Sequence, residues 1–209
     1  MTAASKPPST PERERRSITE GMELRFAQDA KPGEARTAEG YAALFNVETD
    51  VGGYFTEVIA PGAFTRSLAE HDCLALHTHD VGRVVGRKAA GTLEVSEDEK
   101  GLAFRNVLPD TSDGRDLAVQ IERGDIAGMS FGFISVRSEW DETVDPPKRT
   151  VIEARLLEIT YTPIPQYTDT EVGLRSLEHA RDERRNRNKT GAAARIARRM
   201  RLSHAERGI

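Results

Sequence analysis

Three short segments of this chain place polar chemistry where an apolar strand would serve packing better. The first is Leu76-His77-Thr78-His79-Asp80, which closes the apolar stretch Cys73–Leu76 and lies just before a turn at Gly82. Alternate residues of a strand share a face, so His77 and His79 are expected to point together and Asp80 away. Three uses are open to such a segment: a general base, a pair of metal ligands, or a solvated strand end. The second segment is Gly128-Met129-Ser130-Phe131-Gly132-Phe133. Glycines beside a serine let backbone approach closely and free amide groups to face a ligand. A nucleophilic serine needs that openness on one side and a base on the other; the alternative is a buried serine bonded to a neighbouring carbonyl. The third is Leu156-Leu157-Glu158-Ile159-Thr160, a carboxylate in an otherwise apolar strand. Glutamate is almost never fully buried unless paired. Glu158 therefore faces water at a sheet edge or has a partner, and a histidine whose Nδ1–H it accepts is the obvious one.

A catalytic metal site would draw on the first segment. Zinc chemistry needs three protein ligands and an open position, and His77 and His79 with His71 or Asp80 reach that count. There is no HExxH and no cysteine pair, and His179 and His204 lie in a charged tail. No metal and no cofactor is expected.

The elements that must position these residues are mostly short strands. Met22–Ala27, Glu39–Val47, Cys73–Leu76, Val84–Lys88, Thr92–Ser96, Leu102–Leu108, Met129–Val136 and Thr150–Tyr161 alternate or cluster apolar residues and end in turn-formers. Pro61–Glu70 reads as a short helix with Ala63, Phe64 and Leu68 on one stripe. Ser112–Arg123 reads as a longer one, capped by Ser112 or Asp113 and stopped by Gly124. Eight or so strands with two helices predict a β-rich α+β fold: a closed or partly open β-barrel flanked by a few helices.

Composition frames this core. Of 209 residues, 37% are hydrophobic and 31% charged, polar beside a charged share of roughly 25% in ordinary domains. The longest apolar run, Tyr41–Phe45, cannot span a bilayer, and residues 1–17 have no apolar signal-peptide core. No membrane partner is expected, and the compartment reads as cytosol-like. The lone Cys73 leaves no internal disulfide. Residues 1–21 carry a net +1 and residues 176–209 a net +6, so the chain's −4 leaves −11 on residues 22–175. Three parts follow. Residues 1–21 are too poor in apolar side chains to offset their ordering entropy and read as a disordered tail. Residues 22–175 are the folded domain, and 176–209 a basic tail with helix formers over Ala192–Leu202.

In this order and spacing the segments resemble the prohead (capsid maturation) serine protease family of tailed bacteriophages, distantly related to the herpesvirus assemblins. The resemblance spans about Glu23 to Arg175. It rests on GYAALFN at 40–46, GGYFTEVIAPGAF at 52–64, LHTHD at 76–80 with VVGR at 84–87, and GTLEV with KGLAF. LPDT at 108–111, GDIAGMSFGF at 124–133, LLEIT at 156–160 and PIPQY at 163–167 complete it.

The resemblance implies a serine endopeptidase with an assemblin-like fold. The family histidine maps onto His79, the nucleophile onto Ser130 and the third, acidic member onto Glu158, leaving His77 without a role. Gly128 amides and Arg87 are candidate oxyanion donors. Implied partners are the major capsid protein or a scaffold protein, and the chain itself as a self-cleavage substrate, inside the immature capsid in the host cytoplasm. The basic tail suits docking on an acidic scaffold. Nucleic acid is not an expected partner: the tail's charge permits it, but no aromatic residue interleaves the cations and the body is acidic. The alternative is a catalytically inactive capsid-assembly component on the same fold. Such a degenerate member would be expected to lose one of the three residues, and all three are present.

Overall fold

The computed structural model describes residues 12–18, 25–26 and 36–163, with isolated positions between 178 and 195. The chain separates into two compact units, Met1–Thr170 and Glu171–Ile209. In the second, the described positions are helical, with Arg185 paired to Asp182 at 2.6 Å. Most of Ala192–Leu202, expected to be helical, lies outside the described residues.

The spine of the first unit is a pair of long antiparallel strands, β10 (Gly128–Asp141) and β11 (Lys148–Thr162). On its outer side β10 pairs with β1 (Glu14–Ile18). The far edge of β11 is shared. β5 (Phe55–Ile59) runs parallel to its first residues and β6 (Leu74–His77) parallel to its last. Between them, α1 (Thr65–Glu70) and the turn before it take up the backbone donors a single partner strand would have met. Ala154 N–H donates to the Ala63 carbonyl at 2.8 Å, and Leu156 N–H to Ser67 Oγ at 2.9 Å. β4 (Thr49–Val51) pairs with β5, and β7 (Asp80–Arg87) with β6.

A second sheet runs β2 (Arg25–Phe26), β3 (Thr37–Leu44), β9 (Gly101–Val107), β8 (Leu93–Glu97). It meets the first through apolar faces. The Phe104 and Tyr161 rings meet edge to face at 5.8 Å, and buried Asn106 Nδ2 donates to the Tyr161 hydroxyl at 3.0 Å. No helix among the described residues is long and apolar enough to cross a membrane.

The fold is β-rich α+β, but a closed barrel does not form. Among the described residues both strand orders end without closing on themselves, because β11 forks between two partners instead of passing its pairing around a ring. Two further expectations change. Within residues 1–21, read as disordered, Glu14–Ile18 is a full strand, held by charge pairing instead of apolar burial. α2 (Ser112–Arg123) starts and stops where expected, yet its cap is Thr111, whose Oγ1 accepts the Gly114 N–H at 3.3 Å. Asp113 is spent instead on Arg83 of β7, at 2.7 Å.

Candidate active site

β6 and β7 are joined by Thr78-His79, and both residues are left-handed, with φ of 54° and 59°. Paired positive φ values mark the tight hairpin turn that ordinarily takes Asn-Gly. Here non-glycine residues occupy it, at a cost of roughly 1–2 kcal/mol each. The turn is pinned from β11, where Thr78 N–H donates to the Tyr161 carbonyl at 3.0 Å, and from within, where Thr78 Oγ1 donates to the His77 carbonyl at 2.8 Å. Backbone strain maintained by its surroundings is a feature of functional sites.

The turn separates the two histidines. The strand ends at His77, so the shared face expected of His77 and His79 is lost. His77 is buried in β6 near Arg83 of β7 and Asp113 of α2. Burial, with the Arg83 charge, pushes its imidazole below the ordinary value, and its Nδ1 has no hydrogen-bond partner among the described residues. His79 is carried to Glu158. Its Nδ1 lies 2.8 Å from Glu158 Oε1, with the His79 side chain 21% exposed and the Glu158 side chain 2%. A carboxylate can only accept, so Nδ1 carries the proton and Nε2 is left free to act as a base.

Glu158 sits on β11 opposite Gly132, and Thr160 opposite Ser130. Opposed residues of a ladder share a face, so Ser130, Gly132, Glu158 and Thr160 line one side of the sheet. Ser130 lies one diagonal step from Glu158, on the order of 7 Å. Gly132 is there for space: a Cβ would fall 2.9 Å from Glu158 Oε1 and 3.0 Å from its Cγ. The second glycine of the SFGF segment thus makes room for the carboxylate.

Ser130 itself is fully buried, and its hydroxyl donates to the Arg16 carbonyl of β1 at 2.8 Å rather than to an imidazole. Arg13, just before that strand, and Arg15, within it, reach the carboxylate as well. Arg13 forms an ion pair with Glu158 Oε1, and Arg15 Nε lies 3.9 Å from it. Burial alone would raise the Glu158 carboxyl; hydrogen bonds from His79 and Arg13 outweigh it and hold the group below the usual range. Thr160 Oγ1, beside Ser130, is buried without a partner among the described residues.

The candidate oxyanion donor Arg87 lies elsewhere. Arg87, at the far end of β7, donates to Asp72 at 2.6 Å from a side chain 57% exposed. Cys73 is buried, and burial, with the Asp72 and Glu158 charges, pushes its thiol up to about 12, which leaves it inert as a nucleophile. Sequence reasoning missed Arg13 and Arg15, which fall in a stretch with no apolar pattern, and Thr160. For Gly132 the signal was present, two residues from Ser130 and hence on its face.

The family model described as caudovirus prohead serine protease matches residues 23–183. This chain belongs to that family. The prohead protease of Enterobacteria phage HK97 is 35% identical over 133 residues, 61% of this chain and 52% of that protein. The chain thus spans about half the length of this curated relative. The solved bacteriophage T4 capsid assembly protease aligns with 73% of this chain and 99% of its own, at 13% identity and a TM-score of 0.47.

Proposed function

We propose that the chain is a serine endopeptidase of prohead maturation, with Ser130 as nucleophile, His79 as general base and Glu158 as the acid that orients it. The carrying observation is the His79 Nδ1–Glu158 Oε1 contact of 2.8 Å on the sheet face that also bears Ser130. In the reaction Ser130 Oγ attacks the scissile carbonyl carbon while His79 Nε2 takes its proton. The tetrahedral intermediate collapses as that proton passes to the leaving amine, and water then repeats the sequence on the acyl-enzyme. Glu158 fixes the tautomer and stabilises the imidazolium. Backbone amides near Gly128 are the candidate oxyanion donors.

The substrates fitting this reading are the capsid protein's scaffold-like arm or a separate scaffold, met inside the immature capsid, and the chain's own termini. An extended segment is what a protease cleft accepts. The HK97 relative is itself named a prohead protease. The complete burial of Ser130 favours a second reading, a catalytically silent assembly component. Intact mass over time, with the cognate capsid protein co-expressed, separates the two. Shortening of either protein that stops in Ser130→Ala supports the protease; full-length protein in both preparations, also after residues 1–20 are removed, supports the silent component.

A further inference from the structure

β1 lies on β10 in antiparallel register, Ser17 opposite Ser130 and Arg15 opposite Gly132, as an extended peptide added to a sheet edge would lie. Its two faces divide the work. Arg15 and Ser17 fall on the face of Ser130 and Glu158, where Arg13 and Arg15 meet the carboxylate. Glu14 and Arg16 fall on the other, in a buried cluster with Glu57 and Arg149. The strand reads ERRSI, with a single apolar residue, so apolar burial does not hold it there.

We propose that the outer edge of β10 is the docking edge for an extended peptide substrate, and that residues 13–18 are its built-in occupant, an intramolecular inhibitor that must leave before Ser130 can act. This rests on Ser130 being the nucleophile.

Three observations carry it. With β1 in place Ser130 has no exposure, and its proton is given to a carbonyl oxygen instead of to a base. That arrangement blocks the serine: the hydroxyl is held by the Arg16–Ser17 peptide group without an imidazole to activate it. Second, Arg13 shares the very Glu158 oxygen that binds His79, so the inhibitor also draws on the orienting acid. Third, the strand can leave without stranding a charge. Glu14 and Arg16 are joined at 2.8 Å and depart as a neutral pair, while Glu57 and Arg149 remain joined at 3.0 Å. A strand essential to the core would leave an unpaired buried ion behind, which is costly; this one is built as a plug.

The test inserts a site-specific endoprotease sequence between Glu20 and Gly21, so that the full chain folds first and is then cut and freed of residues 1–20 by gel filtration. A fluorophosphonate reports the reactive serine, and a labelled peptide of residues 12–18 reports the edge by fluorescence anisotropy. The expected result is labelling about tenfold faster or more after β1 is removed, since apparent reactivity scales with the competent fraction. Ser130→Ala should abolish labelling, and the 12–18 peptide should bind the freed edge and slow labelling again. A cut chain that keeps its thermal melt, captures no peptide and labels no faster than the intact chain overturns the inhibitor. Peptide capture requires no chemistry. Capture without labelling in any form therefore sinks Ser130 as nucleophile while leaving the docking edge standing, and with it falls the inhibitory role.

Discussion

The two faces of β1 hold two charge clusters of opposite character. On the inner face, Arg149 makes a two-pronged contact with Glu14 at 2.6 and 2.9 Å, and Arg16 another with Glu57 at 2.7 and 3.1 Å. Two acids and two bases close on one another, all buried, and each guanidinium also faces an aromatic ring, Arg16 over Phe133 and Arg149 over Trp140. On the outer face a single buried carboxylate, Glu158, meets His79, Arg13 and Arg15. Beside it are a Thr160 hydroxyl with no partner among the described residues and a strained turn. The first cluster is balanced and satisfied; the second is uneven and partly exposed. Buried ion clusters contribute little net stability against apolar substitutes but can specify register. Here the inner cluster holds β1 in the register that sets Ser17 opposite Ser130, and the outer cluster carries the proposed chemistry.

Breaking the inner cluster should cost the most stability. Arg149→Ala leaves Glu14 and Glu57 buried with only Arg16 between them, and about 3–5 kcal/mol should be lost, read as a lower urea midpoint. The outer cluster should respond in activity instead. Gly132→Ala puts a methyl within 2.9 Å of Glu158 Oε1, displacing the carboxylate from His79. Peptide cleavage should fall about 100-fold or more, in line with a disoriented base, while stability falls by only about 1–3 kcal/mol. A Gly132→Ala chain with full activity would mean that the Glu158–His79 contact does not orient the base.

How far this contrast could be read from sequence differs between its two sides. Most of the strands, α2 and the three chemical segments followed from period-two alternation, a glycine stop and misplaced polar residues, whereas β1, β4 and β5 have no counterpart among the expected strands. Glu158 within LLEIT signalled a partner, and it meets His79 together with two arginines that the pattern did not announce. β1 was illegible because its strand is held by ion pairs to residues 41 and 135 positions away, and local pattern carries no trace of such contacts. The hairpin turn was hidden for a different reason. Thr78-His79 lacks the glycine or asparagine that left-handed positions favour, so the sequence pattern continues the strand and puts the two histidines on one face. Barrel closure depended on which edges pair, and nothing in β11 announces that two strands and a helix divide its edge.

The two faces should also separate by pH. Burial would raise the Glu158 carboxyl, but His79 and Arg13 hold it below its ordinary 4.5. A carboxyl depressed on folding adds stability above its unfolded value, and that stability is lost as pH falls through the lower folded value. Glu14 is depressed in the same sense: burial raises it, and Arg149 and Arg16 outweigh that. Urea midpoints from roughly pH 7 to 3 should therefore fall in the acid range for the parent chain. In Glu158→Gln the fall should be shallower yet still present, because Glu14 continues to titrate. An unchanged acid slope would mean that Glu158 gains nothing from its cations.

The smallest effect should come from the cation farthest from Glu158. Arg15 lies 3.9 Å from the carboxylate with its side chain 34% exposed, so solvent screens it and Arg15→Ala should shift stability by less than about 0.5 kcal/mol. Arg13 is equally exposed but in direct contact, and Arg13→Ala should cost more, about 1 kcal/mol after the same screening. Side-chain exposure is then the same for two arginines on one carboxylate, and distance differs. If the two variants melt together, the outer face senses net charge alone and the Arg13 contact has no individual role. If they separate in the expected order, contact geometry matters on the outer face too, and Arg13, just before β1, ties this segment to the Glu158–His79 pair.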